Sequence, residues 1–311
     1  MRAIVVRSYG GPHALEMVEC PVPEPGPGQV RVRVEAAAVN PVDAVTRSGA
    51  LVEAGLMAAR ATTGIGWDVA GAVDALGPGV TDVVAGQRVA GLRDRLDLSL
   101  GAYADYLVLE ATAIAALPPG LSSLAAATLP LSGLTAVQSL DLLDLPTGAT
   151  ILVTGAAGAV GGYAVQSAAR RGLRVVAVAG AGDEQPVRDL GAHWFVPREA
   201  DLAESVRRHV PGGVDGALDA AALGISALGA VRTRGRFVAV VGGAQPIPLR
   251  GITVMNQWIA ADGAALSELV RAASQGQLST RIAETLPLTE AVRAHQLLAK
   301  GGLRGRVVLI P

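Results

Sequence analysis

The sequence predicts an α/β protein in two parts: a β-rich, barrel-like part, then a doubly wound parallel sheet. Three observations carry this. Residues 150–162, TILVTGAAGAVGG, join a strand-length apolar run to a glycine-rich turn and a helical pattern. Residues 1–117 break into short apolar or alternating runs separated by Pro and Gly. From residue 150 onward, strand-like and helix-like runs alternate, as a parallel sheet requires because its strands are joined by crossovers.

In chain order, the first part offers strands at 3–6, 30–37, 71–76, 88–91 and 106–109, with turn chemistry at 21–28 and 77–79. Many short strands with frequent turns suggest a closed or partly closed barrel. One short helix is expected at 43–48. Pro118-Pro119-Gly120 marks a boundary, after which Ser122 and Ser123 suit helix N-caps and Ala/Leu-rich helices run to 143.

Ile151, Leu152 and Val153 then form a buried strand, residues 154–162 turn without large side chains, and 174–179, RVVAVA, form the next strand. Strand, Gly-rich turn, helix, strand is the dinucleotide-binding unit. Gly158 lets the backbone approach a pyrophosphate, Gly161 lets the helix pack close, and the free N–H groups at the helix start face the anion. Ala156 stands at the first glycine position of G-x-G-x-x-G. The rhythm continues with helix 184–190, strand 194–196, helix 202–208, strand 216–219, helix 225–231, strand 237–241 and an apolar run at 252–260. Helices 266–274 and 291–299 and a strand at 306–310 close the chain.

Bulk properties exclude several classes. A net charge of −1 leaves no nucleic-acid footprint, and no apolar run reaches membrane-spanning length. The start reads as a strand rather than a signal peptide. The single cysteine, Cys20, makes neither an internal disulfide nor a zinc site, and points to a reducing cytoplasm. Lys300 is the only lysine, so cationic help must come from arginine or backbone amides.

Further segments resemble the medium-chain dehydrogenase/reductase superfamily, in its zinc-independent quinone oxidoreductase (zeta-crystallin-like) branch. They are Ala38-Val39-Asn40-Pro41-Val42-Asp43 with Arg47-Ser48-Gly49, Gly66-Trp67-Asp68-Val69-Ala70-Gly71, Gly101-Ala102-Tyr103-Ala104-Asp105-Tyr106, Leu129-Pro130 with Gly133-Leu134-Thr135-Ala136, and the closing 302–309. The resemblance implies a GroES-like catalytic domain, 1–118 completed by 263–311, and a Rossmann domain, 119–262. It implies a homodimer joined near 252–260. It also implies that Asn40 and Thr135 flank the nicotinamide and that Val241 and Gly242 pass beside the ring. Thr154, Ala157, Gly158, Ala159 and Val160 would hold the pyrophosphate. Asn40 is equally a turn residue before Pro41.

Zinc is argued out from chemistry. A catalytic zinc takes about three N, S or O ligands. Zinc-dependent relatives place Cys where this chain has Asn40, and His-Glu where it has Trp67-Asp68. The expected reaction is therefore hydride transfer to an acceptor that stabilises its own developing charge, a quinone or an enone. Trp67 either walls the pocket or packs in the core. The proton donor is open among Thr46, Thr63, Tyr103 and solvent.

At the end of the second strand, Ala179-Gly180 carries no carboxylate for a ribose, which favours NADPH over NADH. Asp183-Glu184 oppose that, and Arg198 supplies a positive charge, with Arg174 and Arg306 as weaker candidates. Arg198 is otherwise a surface arginine. The alternatives are an enoyl-thioester reductase of fatty-acid or polyketide type and a non-catalytic nucleotide-binding protein. A short-chain dehydrogenase is excluded: no Tyr stands four residues before Lys300. A serine hydrolase is excluded because G-x-S-x-G is absent.

Overall fold

The apolar runs on either side of the glycine turn become the centre of a six-stranded sheet whose pairings are all parallel. Its order is Trp194–Pro197, Arg174–Ala179, Thr150–Thr154, Val214–Asp219, Val231–Ala239, Thr253–Asn256. Thr150–Thr154 is buried along its whole length, as a central strand covered on both faces must be. The chain leaves this strand to one side and later returns to the other. Its carboxyl end is thus the topological switch point, where such sheets bind ligands. The core beneath includes Leu152, Val176, Val214, Leu228 and Phe237.

The computed structural model describes all 311 residues and divides into two compact units, Met1–Leu131 with Ala260–Pro311, and Ser132–Ile259. In the first unit the long strand Gln29–Ala38 is the hub. It pairs antiparallel with Asp68–Leu76, Tyr106–Glu110 and the chain-closing Arg306–Ile310. A smaller sheet joins Glu16–Glu19, Arg2–Val6 and Thr63–Gly64. Val30, Val32, Ile65, Tyr103, Leu107 and Val307 lie in the core of this unit.

The division after Leu131 lies beyond the Pro-Pro-Gly boundary at 118 expected from sequence. The helix Ser123–Ala126 packs on Gln29–Ala38, Ser123 Oγ donates to Glu35 (2.6 Å), and the Leu131 N–H donates to Asp68 (2.7 Å). These contacts hold residues 119–131 to the first unit. Several strands differ from the sequence reading, among them the short Glu16–Glu19, Thr63–Gly64 and Ile114–Ala116, which were not expected. Val231–Ala239 starts six residues before the expected 237 and stops at 239, because its first half, with Arg232, Thr233 and Arg234 exposed, shows no apolar signal. Ile282–Pro287 was not expected: it is an edge strand with only Leu286 buried. No helix is long and apolar enough to cross a membrane.

Candidate active site

The glycine turn is built as a cradle. Gly155 has φ +61°, and an added Cβ on Gly161 would overlap the Gly155 carbonyl oxygen. Gly158 caps the helix Ala159–Arg170 with extended geometry and donates its N–H back to Gly155 O (2.9 Å). The N–H groups of Ala159, Val160 and Gly161 therefore open the helix without a carbonyl four residues back, and the positive end of the helix dipole lies with them. Such an N-terminus suits an anion such as a pyrophosphate, and a side chain at 161 would collide with the backbone of the turn that forms it.

Thr154 joins the turn to a neighbouring loop through its side chain. Its side chain is inaccessible; its hydroxyl donates to Asp219 Oδ1 (2.5 Å) and accepts from the Ala221 N–H (3.0 Å). Asp219, also fully buried, further accepts from Leu223 N (3.1 Å) and Gly224 N (2.8 Å). The pair ties the glycine turn to the loop after Val214–Asp219. That loop holds Ala222 and Gly224 at φ 54° and 53°, a conformation that costs a non-glycine residue about 1 kcal/mol. Sequence reasoning missed Asp219. The signal was a lone carboxylate ending a buried strand, where it must find donors.

At the neighbouring strand end, Arg198 donates its backbone N–H to Ala179 O (2.8 Å). Its guanidinium lies across Gly180, so a Cβ there would stand 2.5 Å from Arg198 Nη2. The Arg198 side chain is 63% exposed and reaches only Glu199, at 3.5 Å. The Asp183 carboxylate lies on the same side of Gly180. Farther along, Val241 is exposed, and Gly242 faces the indole of Trp258, itself 64% exposed. Thr135 lies in the helix Pro130–Leu143 and is nearly buried, its carbonyl accepting from Ser139 Oγ (2.6 Å).

In the first unit, Asn40, Thr63 and Trp67 are buried, at 0%, 2% and 6% exposure. Asn40 Nδ2 donates to Asp68 (2.8 Å) and Ala38 O (3.2 Å), leaving Asn40 Oδ1 as an enclosed acceptor with no partner. Asp43 accepts from the Asn40 N–H (2.7 Å) and the Tyr103 hydroxyl (2.9 Å). Tyr103 is thus committed, as is Thr46, whose hydroxyl donates to Val42 O (2.8 Å). Of the side chains considered as proton donors, Thr63 remains, 3.4 Å from Tyr9 Oη. Arg306 is buried in this unit, where its charge acts on Asp43, Asp68 and Tyr103. No group of three or more His, Cys, Asp and Glu side chains is arranged to hold a metal. At the position where zinc ligands would stand, Asp68 is spent on Asn40 and Leu131, so the donor set does not fit zinc.

Burial pushes the Asp43 and Asp68 carboxyls up to about 7, against the opposing pull of the hydrogen bonds they accept. Burial, then the nearby Arg47, pulls His295 down to about 4, and its Nδ1 accepts from Arg47 Nη1 (2.7 Å). The signs oppose. The carboxyls hold protons that the unfolded chain releases above 3.8, so their stabilisation is full below 3.8 and is lost as pH rises through about 7. His295 favours the fold above 6.5, and that contribution is lost as pH falls through about 4. Asp68→Asn removes the ionisable group, at a cost that does not vary with pH because one acceptor becomes a donor facing Asn40 Nδ2 or the Leu131 N–H. The melting temperature of the unmodified protein should therefore fall relative to Asp68→Asn as pH rises through about 7. A pH-independent difference would contradict the assignment.

Comparison with known proteins follows the two parts. A family described as an alcohol dehydrogenase GroES-like domain matches residues 26–119, and one described as a zinc-binding dehydrogenase matches 190–309. Among solved structures, an NAD-dependent alcohol dehydrogenase aligns over 100% of both chains, with 32% identity and a TM-score of 0.89. Mycobacterial Rv1454c complexed with NADPH aligns over 100% of both chains, with 30% identity and a TM-score of 0.84. The chloroplast envelope quinone oxidoreductase homolog of Arabidopsis thaliana is 36% identical over 200 residues, 62% of this chain and 59% of that protein. The pikromycin polyketide synthase component PikAII of Streptomyces venezuelae is 40% identical over 153 residues, 48% of this chain and 4% of that protein. The chain thus spans less than two thirds of the length of these curated relatives.

Proposed function

The chain belongs to the medium-chain dehydrogenase/reductase superfamily, and on that premise we propose that it reduces a quinone or an α,β-unsaturated carbonyl with NADPH and without zinc. The observation that carries the cofactor choice is the Arg198 guanidinium lying across Gly180, where the strand itself ends without a carboxylate and Asp183, on the same side, is the opposing charge. A phosphate on the adenosine ribose gains a charge-assisted partner there, and the small Gly180 leaves it room. The NADPH complex of Rv1454c and the quinone oxidoreductase homolog support the reading by similarity.

When bound, the reduced nicotinamide supplies the hydride. The cradle at Ala157–Val160 orients the pyrophosphate, and Gly242 and Thr135 line the nicotinamide end. In the first unit, Asp68 fixes the Asn40 amide nitrogen and leaves Asn40 Oδ1 without a partner. Hydride arriving at the β-carbon of an enone leaves an enolate, whose proton comes from Thr63 or from water. Trp67 walls the acceptor. An edge strand, Thr253–Asn256, with Ile247, Leu249 and Trp258 exposed beside it, supports a homodimer; sedimentation at the mass of one 31.4 kDa chain would contradict that.

Arg198→Ala is expected to raise KM for NADPH about tenfold, the loss of one charged hydrogen bond, and to leave KM for NADH unchanged. An equal effect on both cofactors removes Arg198 from the phosphate site. The reaction itself is tested by following loss of nicotinamide absorbance with a quinone, a small enone and an enoyl thioester. Turnover of the thioester alone favours the second reading, an enoyl-thioester reductase, to which the PikAII similarity points. Saturable cofactor binding with no turnover of any acceptor would leave a non-catalytic nucleotide-binding protein.

A further inference from the structure

Two arginines of the first unit converge on one neutral oxygen. Arg93 follows the strand Arg88–Leu92, and its N–H donates to the Trp67 carbonyl (2.8 Å). It is only 4% exposed. Its Nη2 donates to Leu98 O (2.6 Å), and its Nε is enclosed with no partner. Arg60, half-buried, directs Nη1 to Leu96 O (2.8 Å) and to the same Leu98 O (3.3 Å). Neither makes an ion pair: Asp97 pairs with Arg95 and Asp94 accepts from the Ala261 N–H, so that Asp43, Asp94 and Asp97 act on the Arg93 charge only at longer range. Arg31 shows the usual arrangement, its side chain 15% exposed and paired with both Glu24 and Asp74.

A buried guanidinium is normally compensated by an anion, and two like charges around one carbonyl repel. Burial, reinforced by Arg60, pulls Arg93 down to about 10. A small anion with at least two oxygens is the kind of ligand a guanidinium fork binds bidentately. The position is also informative. Arg93 is bonded to Trp67, and Arg60 stands three residues before Thr63, so both border the residues assigned to the acceptor. We propose that Arg60 and Arg93 form an anion subsite for an acceptor whose reducible end stands against Thr63 and Trp67 and whose tail carries a carboxylate or phosphate. This rests on the reductase reading above and narrows its substrate class.

Two pairs of probes differ in an anionic group, and rates for the first pair are taken relative to its non-enzymatic reactivity, because its ester activates the alkene more than its carboxylate does. One is β-acetylacrylate, an enone bearing a carboxylate, against its methyl ester. The other is crotonyl phosphopantetheine against crotonyl pantetheine. With the full chain, the anionic member of one pair should show kcat/KM about tenfold above its neutral partner, carried by KM rather than kcat. The pair that shows it identifies the source of the anion. In Arg60→Met and Arg93→Met the ratio should fall to near one, with the neutral probe unaffected in Arg60→Met; Arg60→Lys should restore part of it. Arg60 is half-buried, so its variants stay informative even if Arg93→Met does not fold. Calorimetric titration of the same pairs without NADPH reads the subsite independently of turnover. Failure of the neutral probes to turn over would count against the reductase reading, whereas the calorimetric preference would still decide the subsite. Equal affinity within both pairs, or a preference that survives both methionine variants, would overturn the proposal and leave the arginines as struts of the 93–100 loop.

Discussion

Asp219→Ala is expected to lower the stability of the nucleotide-binding unit by about 3–5 kcal/mol, because several buried neutral donors lose their acceptor at about 1–3 kcal/mol each. Four donors converge on this carboxylate: the Thr154 hydroxyl and the N–H groups of Ala221, Leu223 and Gly224. Alanine would leave them enclosed or force the loop open. The loop also holds Ala222 at positive φ, a conformation retained only while its surroundings impose it. Asp219→Asn keeps the shape but turns one acceptor into a donor facing N–H groups, so its loss should be intermediate. Both variants should weaken NADPH and NADH binding together, since the turn that Thr154 begins is shared by the two cofactors. Chemical denaturation of each variant measures the stability directly. A value for Asp219→Ala within about 1 kcal/mol of the unmodified protein, the scale of a single ordinary hydrogen bond, would remove the network from this role.

Gly161→Val should abolish dinucleotide binding with less effect on the first unit. An added Cβ would overlap the Gly155 carbonyl and crowd the Ala156 Cα, both backbone atoms that no rotamer change can move aside. Either the helix Ala159–Arg170 withdraws from the turn or the turn flattens, and in both cases its leading N–H groups leave the phosphate. Overpacking of this kind costs about 1–3 kcal/mol before any loss of ligand contacts. Fluorescence titration should show NADPH and NADH affinities falling by about a hundredfold or more, equivalent to roughly 3 kcal/mol. That pattern separates Gly161, which serves the pyrophosphate common to both cofactors, from Arg198, which serves the phosphate of one. Retained tight binding in Gly161→Val would show that the cradle is not the dinucleotide site.

Local signals in the sequence marked much of this. The βαβ unit was legible because its strands are buried on both faces and so read as unbroken apolar runs. Gly161 was legible because only glycine tolerates that approach. The first half of Val231–Ala239 was hidden because Arg232, Thr233 and Arg234 are solvent-facing. The strand Ile282–Pro287 was hidden because edge strands need little apolar surface. The buried polar centre was half legible. Asn40 stood out in its motif, but its links to Asp68, 28 residues away, and from Asp43 to Tyr103, 60 residues away, are products of the fold. Asp219, Arg60 and Arg93 were invisible for the same reason: a charged residue shows its purpose only once its burial and partners are known.

The most direct measurement uses NADPH deuterated at the transferable position, with each face labelled in turn, and an enone acceptor, after prolonged treatment with a strong chelator. Deuterium is expected from one face only, bonded to the β-carbon of the saturated product, at a rate the chelator leaves unchanged. Product without deuterium from either face, or activity lost to the chelator and restored by zinc, would contradict a zinc-free hydride transfer.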